Sequence, residues 1–193
     1  MNVLGALDPK NEIEQYDLLP RYEKFLATDR FFLEQCGAPE LSSPHLLMVG
    51  SGPLPISSYV FVSRFGYKVT NVDTSSEALE TGKEILEHAG IFQAHQHASG
   101  AEVQVGANVT SVIVAALAGT NKEEKLAIIK NIAGQLQPGG RISVRYGTGI
   151  RKLFYPDCVL SDAECEEYGI RRIGSFEPPR DYMNAIGVYE KCT

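Results

Sequence analysis

The stretch Leu46-Leu47-Met48-Val49-Gly50-Ser51-Gly52-Pro53-Leu54-Pro55 constrains the fold of this chain more than any other. Four consecutive apolar residues suit a short strand buried on both faces. They run into Gly50-x-Gly52, where the missing Cβ lets the backbone turn tightly and approach a ligand. Pro53 and Pro55 follow, and proline is preset for the first turn of a helix, where its missing N–H costs nothing. Strand, glycine turn and helix start, in that order, open a nucleotide-binding βαβ unit. Lys68-Val69-Thr70-Asn71-Val72 reads as the next strand, with Asp73 at its end. That places a carboxylate ~20 residues past the glycines, the distance at which it meets ribose hydroxyls. Asp73-Thr74-Ser75 also suits a helix cap, but capping does not explain the paired glycines.

The rest of the chain continues the alternation. Asp8-Pro9 suits the start of a helix through about Leu18, and Pro20 opens a second, from Arg21 to about Gln35. Tyr22, Phe25, Leu26, Phe32 and Leu33 give that second helix one apolar face, and Cys36-Gly37-Ala38-Pro39 ends it. Strand one is Leu46–Val49, followed by a helix from Pro55 to about Phe65. Strand two is Lys68–Val72, followed by a helix from Ser75 or Ser76 to about His88. Phe92–His97 is a third strand and Ser111–Ala115 a fourth. Lys122–Leu136 is a helix, stopped by Gln137-Pro138-Gly139-Gly140, and Arg141–Tyr146 is the fifth strand. A short helix over Asp162–Tyr168 precedes Ile170–Phe176, a Pro-Pro turn and Ala185–Tyr189. Two late strands without a helical crossover predict an antiparallel hairpin at the sheet edge.

This is an α/β pattern with a mostly parallel sheet covered on both faces. Residues 1–40 are expected to form N-terminal cover helices, and 41–193 a Rossmann-like binding domain, together one globular unit. At 193 residues, 44% of them hydrophobic, the chain can bury a substantial core. Its net charge of −6 argues against nucleic acid as a partner. No apolar run is long enough to span a membrane, and the N-terminus lacks a signal-peptide pattern. Cys36, Cys158, Cys165 and Cys192 lack zinc-site spacing and read as free thiols of a reducing cytoplasm. His95 and His97 share one face of a weak strand, too few ligands for a metal, so no metal is expected.

Leu136-Gln137-Pro138-Gly139-Gly140 before strand five, with the terminal hairpin, is similar to class I S-adenosylmethionine-dependent methyltransferase-like folds, which implies a seven-stranded sheet. More specifically, Gly50-Ser51-Gly52-Pro53-Leu54-Pro55, Val114-Ala115-Ala116-Leu117-Ala118 and Arg145-Tyr146-Gly147-Thr148-Gly149-Ile150-Arg151 resemble nicotianamine synthases. Leu19-Pro20-Arg21-Tyr22 looks like that family's Tyr-Pro-Arg-Tyr segment. The resemblance implies S-adenosylmethionine as substrate. It also implies cleavage of the Cγ–S bond, movement of the 3-amino-3-carboxypropyl group to an amine, and release of methylthioadenosine. The family carries a large helical domain ahead of this segment, with a glutamate that handles the acceptor amine. The 18 residues before Leu19 are expected not to supply it, and neither Glu12 nor Glu14 matches that glutamate. The short azetidine-2-carboxylate synthases, which resemble the family, cut the same bond with one substrate, whose own amine closes a ring. That reading leads. An external amine acceptor, a small-molecule methyltransferase and a non-catalytic binding module are the alternatives.

The nucleoside is expected to sit on Gly50, Ser51, Gly52, Pro53, Leu54, Asp73 and Thr74. His97 and Ala98 are placed near adenine. Ala115, Ala116 and Leu117 end strand four with small side chains that leave room for ribose and thioether. For the reacting arm the candidates are Tyr22, whose ring suits a sulfonium, and Arg145, which suits the substrate carboxylate; Tyr155 is a third. Tyr146 and Arg151 lie in the same region. Tyr22 equally suits a core aromatic on an amphipathic helix, and Arg145 an ordinary ion pair.

Overall fold

The computed structural model describes residues 13–14, 16–34, 44–178 and 184–193. Of the expected first helix only Ile13, Glu14 and residues 16–18 are described; Ile13 and Glu14 are helical. The stop at Cys36–Pro39 and half of the Pro178-Pro179 turn lie outside the described residues. Helix α1 (Leu19–Glu34) leads to β1 (His45–Val49), α2 (Ile56–Ser63), β2 (Lys68–Asp73), α3 (Ser76–His88) and β3 (Ala94–His97). Then come β4 (Ser111–Val114), α4 (Lys122–Gln135), β5 (Arg141–Tyr146), α5 (Asp162–Tyr168), β6 (Ile170–Phe176) and β7 (Ala185–Lys191).

The seven strands form one sheet in the order β3-β2-β1-β4-β5-β7-β6. Strands β1 to β5 pair in parallel, and β7 runs antiparallel to both β5 and β6. The winding reverses at β1, with β2 on one side and β4 on the other. A crevice therefore opens beyond the carboxyl ends of β1 and β4, where open α/β sheets hold their ligands.

Side chains alternate across the sheet as strand geometry requires. Leu46 and Met48 pack with Leu26, Leu33, Tyr59, Val60 and Ile186, while Leu47 and Val49 pack with Ile129, Ile132, Ile142 and Val144. The first group fills the α1–α2–α3 face and the second the α4–α5 face. Caps fix the helix starts: Ser75 Oγ accepts from Ala78 N–H ahead of α3, and Asn121 Oδ1 from Glu124 N–H ahead of α4. Ser161 and Glu164 form a reciprocal capping box on α5, which Gly169 ends at φ 62°.

Helix α1 is part of this packed unit. Leu26 and Leu33 are buried in the core, but the contact with β5 is polar. Arg141, Ser143 and Arg145 occupy alternate positions of β5 and all turn toward α1. Arg141 Nη1 donates to the Leu33 carbonyl at 2.6 Å, near the helix end, where carbonyls lack partners. Ser143 Oγ and Arg145 both donate to Asp29. Ile142, Val144 and Tyr146 take the intervening positions and enter the opposite core.

Candidate active site

Two adjoining cavities open at the crevice. The first, about 380 Å³, is lined by Tyr16, Tyr22, Phe25, Ser57, Ala115, Ala116, Arg145, Arg151, Tyr155 and Asn184, among others. The second, about 280 Å³, is lined by Pro53, Val72, Asp73, Thr74, Ala98 and Ile128, among others. Gly50, Gly52 and Leu117 belong to both, so the glycine turn forms the sill between them. Ser51 and Leu54 line the first cavity only.

The sill is built by backbone. Gly50 and Gly52 adopt φ 79° and 66°, a region costly for residues with a Cβ. Gly50 and Ser51 N–H groups both donate to the Val72 carbonyl, at 2.8 and 3.1 Å. A Cβ on Gly50 would lie 3.2 Å from the Ala115 Cβ and 3.3 Å from that of Ala118, so β4's end presses on the turn. Asp73 Oδ2 accepts from Gly52 N–H at 2.8 Å and Oδ1 from Ser75 N–H at 3.0 Å. The carboxylate thus braces the glycine turn, while Ser75 itself caps α3. Each oxygen keeps a lone pair for a ligand in the second cavity.

Behind the Ala115–Leu117 segment lies Lys125, with no exposed surface. Its ammonium donates to the carbonyls of Ala115, Ala116 and Arg145 at 2.7, 2.9 and 2.7 Å. Three N–H groups meet three acceptors, and the ends of β4 and β5 are tied together. Burial lowers its pKa to about 8.

Tyr22 is half-buried, and its ring centroid lies 6.4 Å from that of Tyr16. Burial above all, and then Tyr16, raise the pKa of its phenol, while Arg145 and Arg151 act the other way. At neutral pH it is therefore a phenol, able to orient a partner but unable to serve as a resting phenolate base. Arg145 reaches the first cavity, but its charge is matched. Nε and Nη2 donate to Asp29 Oδ2 at 3.1 and 2.9 Å, Nη1 donates to Ser57 Oγ at 3.0 Å, and the guanidinium carbon lies 5.3 Å from the Phe25 ring centroid. Arg145 is thus half of a buried ion pair that anchors α1. Tyr155 lines the cavity four residues after Arg151, whose carbonyl accepts its N–H at 2.9 Å.

Two of the expected residues line neither cavity. His97 lines neither cavity; it is exposed on the edge strand, its Nε2 3.0 Å from the Thr74 carbonyl oxygen. Tyr146, even-numbered on β5, turns into the opposite core. Sequence reading missed Tyr16, Ser57, Asn184 and the anchoring Asp29. Asp29 had a signal: an acid at i+4 from Phe25 and i−4 from Leu33, on the apolar face of its helix. Among the described residues no group of three potential metal ligands gathers. Cys158 and Cys165 are buried thiols and Cys192 an exposed one; burial pushes Cys158 up to about 11. No helix of the described residues is long and apolar enough to cross a membrane.

Known proteins are similar to this chain in sequence and in fold. The family model described as "Nicotianamine synthase protein" matches residues 1–193. Nicotianamine synthase 9 of Hordeum vulgare is 26% identical over 198 residues, which are 98% of this chain and 57% of that protein. L-histidine 2-aminobutanoyltransferase of Pseudomonas aeruginosa is 31% identical over 128 residues, 65% of this chain and 46% of that protein. This chain thus spans about half the length of the curated relatives it matches. Among solved structures, a mutant of MtNAS in complex with S-adenosylmethionine aligns with TM-score 0.72 at 21% identity, covering 96% of this chain and 71% of that one. The S-adenosylmethionine-dependent methyltransferase SibL aligns with TM-score 0.62 at 19% identity, over 86% of this chain and 55% of that one, so the fold is methyltransferase-like. With a glycine turn, a bracing Asp73 and a family match along its whole length, this chain belongs to the nicotianamine synthase family.

Proposed function

We propose that this protein is an azetidine-2-carboxylate synthase, which closes the aminobutyrate arm of S-adenosylmethionine into a ring and releases methylthioadenosine. The observation that carries the reading is the paired cavity. The second cavity offers Asp73 and the glycine turn to a ribose, as in dinucleotide-type sites. The first offers the rings of Tyr16, Tyr22 and Tyr155 and the guanidinium group of Arg151. Aromatic faces suit a sulfonium and guanidinium groups suit a carboxylate, so the walls complement the arm of one substrate.

The step is an internal displacement. The α-ammonium first gives one proton to water, and the freed lone pair attacks Cγ from the side opposite sulfur, so that the ring nitrogen ends as a cyclic ammonium. The Cγ–S bond breaks and its electron pair goes to sulfur, leaving a neutral thioether. The sulfonium is already a good leaving group. The protein's task is to fold the arm so that nitrogen lies behind Cγ; because amine and Cγ already share one molecule, the site's contribution is to select that near-attack conformer. Tyr22, neutral at neutral pH, orients the amine through its hydroxyl and faces the sulfonium with its ring. The start of α1 covers the cavity and limits water, which would otherwise yield homoserine.

A second reading has its own support. The 31% identical relative named as an aminobutanoyltransferase favours an external amine. The first cavity, at about 380 Å³, is roomy enough for the arm and a small acceptor. Incubation with S-adenosylmethionine, with and without added amino acids, followed by mass identification of products, separates the readings. Methylthioadenosine formed without an acceptor supports ring closure. Its appearance only with an acceptor supports transfer, and S-adenosylhomocysteine would indicate methyl transfer.

A further inference from the structure

We propose that the backbone N–H groups of Ala116 and Leu117, with the Lys125 ammonium behind them, receive the carboxylate of the substrate's aminobutyrate arm. The inference rests on the functional reading above and names the groups that hold that arm. Ala115, Ala116 and Leu117 line the first cavity, whereas Lys125 lines neither cavity and lies on the far side of the segment. In a planar trans peptide the N–H of one residue points opposite to the carbonyl of the residue before it. The Ala115 and Ala116 carbonyls accept from the Lys125 ammonium, at 2.7 and 2.9 Å. The N–H groups of Ala116 and Leu117 therefore point away from Lys125, toward the cavity. Neither donates to any of the described residues, while the N–H groups on either side are spent: Ala115 donates to the Val49 carbonyl at 2.9 Å and Ala118 to the Ala115 carbonyl at 3.1 Å. Ala116 is 6% exposed, and a backbone donor so near the interior is costly to leave without an acceptor. Successive N–H groups of this kind form an anion-binding concavity, and the methyl side chains of Ala115 and Ala116 leave it open.

The charge behind these donors points the same way. The chain turns at Gly119, φ 82°, where a Cβ would lie 2.9 Å from the backbone nitrogen of Lys125, and Asn121 caps α4. Lys125 is thereby brought back beneath the segment the chain has just left. Among the described residues no carboxylate pairs with its ammonium, whose three bonds all go to carbonyls. The titratable groups that act on its charge are Cys158 and Arg145. Cys158 is neutral at neutral pH, its thiol pushed up to about 11 by burial, and the Arg145 charge is matched by Asp29. A buried cation without a counter-charge is costly, and an anion bound across two peptide units supplies one. The described residues lining the first cavity include no carboxylate to repel it. A carboxylate accepts at two oxygens, so the N–H pair does not compete with Arg151, which lines the same cavity.

Two nucleoside thioethers that the enzyme does not consume isolate the role. S-adenosylhomocysteine carries the arm's amine and carboxylate, and its decarboxylated form carries the amine alone. Wild-type protein labelled with ¹⁵N is titrated with each while its amide resonances are followed, and affinities are read by calorimetry. The Ala116 and Leu117 amide protons are expected to move downfield with S-adenosylhomocysteine and much less with the decarboxylated form. Wild-type affinity is expected to favour S-adenosylhomocysteine by ~10–100-fold, the usual value of hydrogen bonds to a charged group. In Lys125→Met that preference is expected to shrink by ~10-fold, with the decarboxylated form bound within about twofold of wild type. Equal movement of the two amides with both ligands, no movement with S-adenosylhomocysteine, or an unchanged preference in Lys125→Met would overturn the assignment while leaving the functional reading standing. If that variant fails to fold, the wild-type spectra decide alone. A wild-type protein that binds neither nucleoside would overturn both.

Discussion

Removing Asp29 tests how α1, and therefore Tyr22, is held over the site. Asp29 has no exposed surface and Arg145 little. Its two oxygens accept from Ser143 Oγ and from Arg145 Nε and Nη2, the last at 2.9 Å. Asp29→Ala leaves a buried guanidinium without a counter-charge, and breaking such a pair costs ~3–5 kcal/mol. With a urea dependence of about 2 kcal/mol per molar for a domain of this size, the unfolding midpoint falls by roughly 2 M. Replacing both partners with apolar residues of similar bulk, Asp29→Leu with Arg145→Met, removes the uncompensated charge and is expected to recover most of that loss. Equilibrium urea unfolding of wild-type, both single variants and the pair gives the coupling. The reasoning fails if Asp29→Ala costs less than ~1 kcal/mol, the value of an exposed pair, or if the double variant is as unstable as the sum of the singles.

Three further outcomes are expected. Asp73→Ala should weaken methylthioadenosine binding, since charged hydrogen bonds to a diol contribute ~1.5–3 kcal/mol each, and should slacken the glycine turn; unchanged affinity in calorimetry would reduce Asp73 to a brace. Lys125, lowered to about 8 from 10.5, carries a burial penalty that is full below pH 8 and relieved as pH rises toward 10.5, because the unfolded chain then binds the extra proton. Wild-type stability relative to Lys125→Met should therefore rise by ~2 kcal/mol between pH 8 and 10, read from urea midpoints at the two pH values; a flat difference contradicts it. Tyr22→Phe should keep S-adenosylhomocysteine affinity while turnover drops by ~10²-fold, and Tyr22→Ala should also raise the share of homoserine. Wild-type turnover and product ratio in both variants would make Tyr22 a packing residue.

Much of the fold was legible because its signals are local. Short apolar or alternating runs located β1, β2, β4 and β5 within a residue or so, Ser75 located the start of α3, and Gln137-Pro138-Gly139-Gly140 the stop of α4. β3 begins at Ala94 rather than Phe92: Phe92 is 75% exposed on the sheet edge, where no packing continues the strand. The glycine turn and Asp73 were legible because their chemistry depends on spacing. Arg145 was legible as a cavity residue but not as an ion pair, since its partner lies 116 residues away. The alternation Arg141-x-Ser143-x-Arg145 within a buried strand was the overlooked sign of a polar docking face. Asn184 had no local pattern at all; only the antiparallel return of β7 beside β5 brings it to the site.

The central claim is that the nitrogen that attacks Cγ is the substrate's own. The direct measurement uses S-adenosylmethionine labelled with ¹⁵N at its α-amine, given to the purified protein with an excess of unlabelled amino acids. Methylthioadenosine and a four-membered imino acid are expected in equal amounts, each imino acid retaining the ¹⁵N as its single nitrogen. A product joining the labelled aminobutyrate to an unlabelled amine, with no cyclic imino acid formed, would contradict it.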